Sequence, residues 1–196
     1  MSRAPLPEDG RARRRVEAMR RAQDAALDLF EARGYAAVTV EDIAAAAGVG
    51  PATVYRSFGS KERVVLWDDY DPMLLDAVRA RLPTHPLLAA VSGALEEALD
   101  RVYGTDKRRI LRRTRLLLAE PALIAASAAD RLALRAALAA LFTEASAAPG
   151  DLGAEVAAAA VVATLEVAVE RWAKGRGRTP MREVIRASFG ALARLG

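Results

Sequence analysis

The chain has 196 residues, a formal net charge of +4 and no cysteine; it is long enough for one large helical domain or two small ones, and disulfides and thiolate metal sites are excluded. Hydrophobic residues make up 53%, chiefly through alanine runs such as Ala44–Ala47 and Ala157–Ala160, and the longest uncharged apolar stretch near the C-terminal end, Val156–Leu165, falls short of the roughly 18 residues a membrane-spanning helix needs. One histidine, no glycine-rich phosphate loop and no acid pair at metal-ligand spacing argue against an enzyme, so no catalytic residue, metal or cofactor is expected.

The N-terminal arginines are not followed by an apolar stretch, so no signal peptide and a cytoplasmic protein are expected. The pI of 9.8 usually points toward nucleic acid, but 29 basic residues that include only Lys61, Lys107 and Lys174 as lysines also fit coding bias. Location says more than the total. Seven arginines between Arg3 and Arg21, against Glu8, Asp9 and Glu17, equal the whole net charge.

Residues 1–12, with Pro5, Pro7 and Gly10, are expected to form a disordered basic tail. A helix is predicted from about Arg13, with Met19, Ala22, Ala26, Leu29, Phe30 and Arg33 at helical spacing and Gly34 as its stop. Thr39 opens a short second helix, with Asp42 three residues on in a capping-box pattern and Glu41 and Asp42 at the positive end of the dipole. Gly48 ends it. Gly50 and Pro51 start a third helix running to about Ser57. Ser60 caps a fourth carrying Val64, Val65 and Trp67, interrupted at Asp71-Pro72.

Pro83-Thr84-His85-Pro86 reads as a linker, with His85 exposed and inert. Helices are predicted at about 86–103, 106–118, 121–147, 151–173 and 180–194, separated by Gly104-Thr105, Glu120-Pro121, Pro149-Gly150-Asp151 and Gly175–Pro180. No strand alternation or internal repeat is present. The fold class is all-α. Asp68, Asp69 and Asp71 form an acidic cluster, but adjacent helical residues point in different directions.

Two short helices joined by a three-residue turn containing glycine make a helix-turn-helix, whose second helix presents its N-terminal half to the DNA major groove. Ile43, Val49, Val54 and Phe58 are expected to fill a small core against Leu29 and Phe30, while Ala44 and Ala47 let the helices approach.

Over about forty residues, from Ala25 through Leu29-Phe30, Gly34-Tyr35, Thr39-Val40, Asp42-Ile43-Ala44, Ala47-Gly48-Val49, Thr53-Val54-Tyr55 and Phe58 to Ser60-Lys61-Glu62, the sequence resembles the DNA-binding domain of the TetR family. The resemblance implies a TetR-like fold: a helix-turn-helix domain at 13–60 and a ligand-binding and dimerisation domain at 61–196. It implies that Thr39, Tyr55 and Lys61 contact phosphates, while Pro51, Ala52, Thr53 and Arg56 face base edges or flanking phosphates. Competing readings make Tyr55 a core aromatic and Thr39 only a cap. Gly50 stands where the family often has Ser or Thr, and Ser57 replaces a larger aromatic or His phosphate contact. Direct readout is therefore expected to be thin, with Arg13, Arg14, Arg15 and the tail adding minor-groove or phosphate contacts.

The resemblance also implies a homodimer on a palindromic operator, with helices 151–173 and 180–194 forming a four-helix interface. Its expected interface residues are Ala157, Val161, Thr164 and Ala168, beside Ala160, Val167 and Trp172; packing inside a monomer core is the alternative. The segment Lys107–Arg115, the Glu120–Leu123 corner and Trp172 look similar to mycofactocin-type members of the family. That likeness implies a small-molecule effector, apolar or acyl-CoA-like, with Arg112 and Trp172 as candidate ligand residues; Arg109 and Arg113 are further anion candidates unless this is a solvated helix face. Helix four, from Lys61 to about Trp67–Tyr70, is the expected transmitter. A membrane-surface role for Arg13–Arg21 is the remaining rival.

Overall fold

The computed structural model describes residues 9–67, 71–146 and 152–195. Tail residues 1–8, Asp68, Asp69 and Tyr70, and the Pro149-Gly150-Asp151 break lie outside the described residues. Among the described residues all regular structure is helical: α1 Gly10–Arg33, α2 Val40–Ala47, α3 Pro51–Phe58, α4 Lys61–Leu66, α5 Asp71–Arg81, α6 Leu87–Ala119, α7 Pro121–Ser146, α8 Leu152–Lys174 and α9 Met181–Ala193.

Three boundaries differ from expectation. α1 begins at Gly10 rather than about Arg13, because the Asp9 carboxylate accepts the Arg11 N–H and caps the helix; residues 10–12 therefore belong to the helix and not to a tail. α6 runs unbroken through Gly104-Thr105. A single mid-helix glycine costs about 1 kcal/mol relative to alanine, too little to end a helix supported on both sides. α4 stops at Leu66, with Trp67 as its C-cap, so the fourth helix has six residues and ends one short of the near limit of the expected Trp67–Tyr70 boundary.

The described residues divide into two compact units, one comprising 9–67 and 108–127, the other 71–107, 128–146 and 152–195. The first thus holds more than the expected 13–60: α4 and residues 108–127 pack with the helix-turn-helix. Its core is Ala22, Ala26, Phe30, Val38, Ile43, Ala44, Val54, Val64, Val65 and Leu123, with Leu29, Val49 and Phe58 packed against it. The expected small core is present. Gly48 sits at φ 65°, ψ 37°, a left-handed conformation natural to glycine.

The second unit buries Val78, Val91, Leu95, Leu138, Phe142, Val161, Trp172, Ile185 and Phe189, and Arg131 of α7 pairs with Glu166 of α8 at 2.8 Å. Arg81 bonds Glu97, and Arg186 bonds Glu96. α8 is the one helix among the described residues long and apolar enough to cross a membrane, with mean hydropathy 1.8 over an 18-residue window of which 28% is buried. Counting only the uncharged stretch Val156–Leu165 understates it, because a spanning window tolerates an occasional charge. A lone helix of this kind is equally a core or interface helix, and α9 covers one side of it.

Candidate nucleic-acid interface

The geometry of α2 and α3 follows from their caps. Thr39 Oγ1 accepts the Asp42 N–H at 3.1 Å, and the Asp42 carboxylate accepts the Thr39 N–H at 2.9 Å, a complete capping box. Those Thr39 bonds, then the Arg33 guanidinium, hold the Asp42 carboxyl below the usual carboxylate range. Gly50 offers no side-chain cap to α3, and Pro51 at the helix start removes one N–H that would need a partner.

On α3, Val54 is 2% exposed and faces the core, whereas Pro51, Ala52, Tyr55 and Arg56 are exposed on the opposite side. This is the helical spacing of one outward face. Thr53 and Ser57 do not share it. They are half-buried and line a narrow crevice with Ala18 and Met19 of α1, at the flank of that face.

Tyr55 is 47% exposed, which excludes the core-aromatic reading. Its hydroxyl donates to Glu41 Oε1 at 3.2 Å, and the Glu41 charge, with some desolvation, raises its pKa. This bond ties the outer face of α3 to the start of α2. Thr39, Glu41, Tyr55 and Arg56 are exposed in the same helix-turn-helix.

Lys61 is more constrained than a free phosphate ligand. Its ammonium donates to the Tyr35 and Val38 carbonyls, each at 2.9 Å, and lies 4.2 Å from the Tyr35 ring centroid. Two of its three N–H donors hold the loop before α2, so its first role is positional, with one proton left for a phosphate. Tyr35 donates to Glu62 at 2.7 Å; burial and then this bond drive its pKa well up. For Glu62, burial is outweighed by the Tyr35 bond and smaller contributions, and its pKa falls.

Arg13, Arg14 and Arg15 are exposed on the first turns of α1, and Arg13 bonds Glu17 at 3.2 Å. Being helical, they diverge around the helix rather than forming an arm.

A polar knot that the sequence reading missed holds this unit together. Gln23, fully buried on α1, donates to the carbonyls of Val64 at 2.9 Å and Trp67 at 2.8 Å, and accepts from Arg109 of α6 at 2.5 Å. Arg113 donates to the Trp67 carbonyl at 2.8 Å. Side chains from other helices thereby satisfy carbonyls that the end of α4 leaves open. The available signal was a glutamine inside the apolar stripe of α1.

Arg112 bonds Glu31 and Asp28 of α1, both at 2.6 Å; the Glu31 bond, partly opposed by burial, and then Asp28 raise its pKa. Its guanidinium is committed to α1, which corrects the ligand assignment, and Arg109 and Arg113 are packed rather than on a solvated face. Trp172 is 1% exposed, a core residue of the other unit.

Two of the expected dimer residues are likewise corrected. Val161 and Ala168 are fully buried within their own unit, while Ala157 and Thr164 are half-buried. The outward side of α8 carries Ala160, Ala163, Thr164 and Val167, which with Ala187 and Ala191 of α9 and Leu195 just beyond it line an open apolar groove of about 970 Å³. Among the described residues no group of acidic, histidine or cysteine side chains is arranged to hold a metal.

The family model of the TetR bacterial regulatory proteins matches residues 23–66, and that of the MftR C-terminal domain matches residues 85–195, more than half the chain. The HTH-type transcriptional regulator TcmR of Streptomyces glaucescens is 39% identical over 107 residues, 51% of this chain and 47% of that protein. The proposed mycofactocin biosynthesis transcriptional regulator MftR of Mycobacterium tuberculosis is 34% identical over 92 residues, 43% of this chain and 46% of that protein. The chain spans about half the length of the curated relatives it matches. Thermus thermophilus FadR, solved in complex with lauroyl-CoA, has a TM-score of 0.53 at 23% identity, covering 89% of this chain and 93% of that one; that likeness concerns the fold alone. These families and relatives are transcriptional regulators and not enzymes. The chain belongs to the TetR family of bacterial regulatory proteins and carries a C-terminal domain of the MftR type.

Proposed function

We propose that this chain is a cytoplasmic, ligand-responsive repressor that binds a palindromic DNA operator as a homodimer and is released by a small-molecule effector. The observation that carries the reading is the outward face of α3, where Pro51, Ala52, Tyr55 and Arg56 stand exposed while Val54 anchors the helix from behind. Such a helix fits the major groove, with Thr39 and Tyr55 meeting phosphates at its edge. Pro51 and Ala52 supply shape but no donors. Arg56 is the side chain on this face suited to guanine or to a phosphate.

Dimerisation rests on the α8–α9 groove. One short helix reads too few bases, and two of them about 34 Å apart, or a multiple, read a palindrome. The effector is proposed to be apolar or acyl-CoA-like, on the strength of the MftR-type domain and of the ligand held by the Thermus FadR fold relative. A ligand acts only through different affinities for the two states. The coupling element is proposed to be α6 rather than α4 alone, because Arg109, Arg112 and Arg113 near its C-terminal end grip α1 and the end of α4.

The test is a gel shift with the DNA upstream of the chain's own coding region, repeated with acyl-CoAs added. Wild type is expected to retard that DNA. Arg56→Ala is expected to weaken binding by roughly tenfold or more, the loss of one good base or phosphate contact. Equal retardation by both proteins would contradict the assignment of α3.

A further inference from the structure

We propose that Glu41 restrains sequence-independent DNA binding by competing with the DNA phosphate for the Tyr55 hydroxyl. The inference rests on the reading that the α3 face meets DNA, and it adds a determinant of phosphate affinity to that site. Glu41 is the second residue of α2 and is exposed beside Tyr55. Its neighbour Asp42 is engaged by Thr39 and by Arg33 at 3.2 Å. Glu41 has no such cation among the described residues; its partner is the Tyr55 hydroxyl at 3.2 Å.

A phenol carries one proton. While that proton points at Glu41, the oxygen presents only lone pairs to an approaching phosphate, and the carboxylate adds a second negative charge within a few ångströms. A phosphate that takes the proton leaves Glu41 without a partner, next to like charge. Both arrangements penalise backbone contact. Because the penalty applies to every sequence, it lowers non-specific affinity, where phosphate contacts supply nearly all of the binding. The penalty is common to operator and non-operator DNA, so it weakens both and leaves their ratio to the base contacts of the same helix.

The experiment measures anisotropy of a fluorescein-labelled mixed-sequence duplex of about 25 base pairs at low salt, where phosphate contacts dominate. Four proteins are compared: wild type, Glu41→Gln, Tyr55→Phe and the double variant, with circular dichroism melts to check folding of these exposed substitutions. Glu41→Gln removes the charge and leaves Tyr55 only a weaker, neutral acceptor, so the hydroxyl is freer for phosphate. It is expected to tighten binding about fivefold, the size of a short-range charge effect in screened solvent. In the Tyr55→Phe background the same change is expected to gain much less, because the contested proton is gone. Equal gains in both backgrounds, or no gain in either while wild type binds, would overturn the proposal and leave the DNA-binding reading intact. Failure of all four proteins to bind the duplex would overturn the DNA-binding reading together with the proposal.

Discussion

Replacing Gln23 by methionine, a near-isostere without hydrogen-bonding capacity, should destabilise the helix-turn-helix unit by about 3 kcal/mol. The amide nitrogen of Gln23 serves the carbonyls of Val64, Val65 and Trp67, and its oxygen accepts from Arg109, whose side chain is only 10% exposed. A buried polar group left without a partner costs about 1–3 kcal/mol, more when charged. Arg113 still reaches the Trp67 carbonyl, which keeps the total toward the lower part of the combined range. In a chain of this size about 3 kcal/mol lowers the melting temperature by roughly 6–12 °C. Urea unfolding followed by circular dichroism reads the change, and an unaltered midpoint would show that the knot contributes nothing net.

Val167→Arg should abolish dimerisation and, through it, operator binding. Val167 is 60% exposed and stands in the groove between α8 and α9. In a monomer an exposed arginine there costs little. Across a two-fold axis each copy would press its guanidinium against the same apolar patch on its partner, and isologous symmetry doubles the penalty. Light scattering should find wild type at twice the chain mass and the variant at the chain mass. Operator affinity should fall by roughly a hundredfold or more, because a half-site contributes less than half of a specific complex. A variant that stays dimeric would move the interface elsewhere.

How much of this was legible in the sequence depended on how sharply each residue type constrains its place. Gly34, Gly48 and Pro51 fix helix ends by backbone geometry, and Thr39 with Asp42 by side-chain capping, and α2 and α3 begin and end as they dictate. Side-chain roles that rest on distant partners were not legible. Nothing near Lys61 in the chain reveals that its ammonium is shared by the Tyr35 and Val38 carbonyls, or that Arg112 is matched with two carboxylates some eighty positions away. α8 failed for a different reason. Small apolar residues surround it on nearly every side, so its sequence does not say which face is inward, and Val161 and Ala168, expected at a dimer interface with core packing as the alternative, are both buried in their own unit. Gly104 illustrates a weak local signal overridden: α6 continues through it.

The central claim is that the start of α3 enters the major groove, and the chain's lack of cysteine permits a direct measurement. Ala52→Cys, exposed on that face, would carry the sole thiol and accept an iron–EDTA cleavage reagent. Bound to its upstream DNA, the labelled protein should cut within two sites separated by about 34 Å or a multiple of it. Protection of that DNA by the wild-type protein, with no cleavage from position 52, would contradict the account.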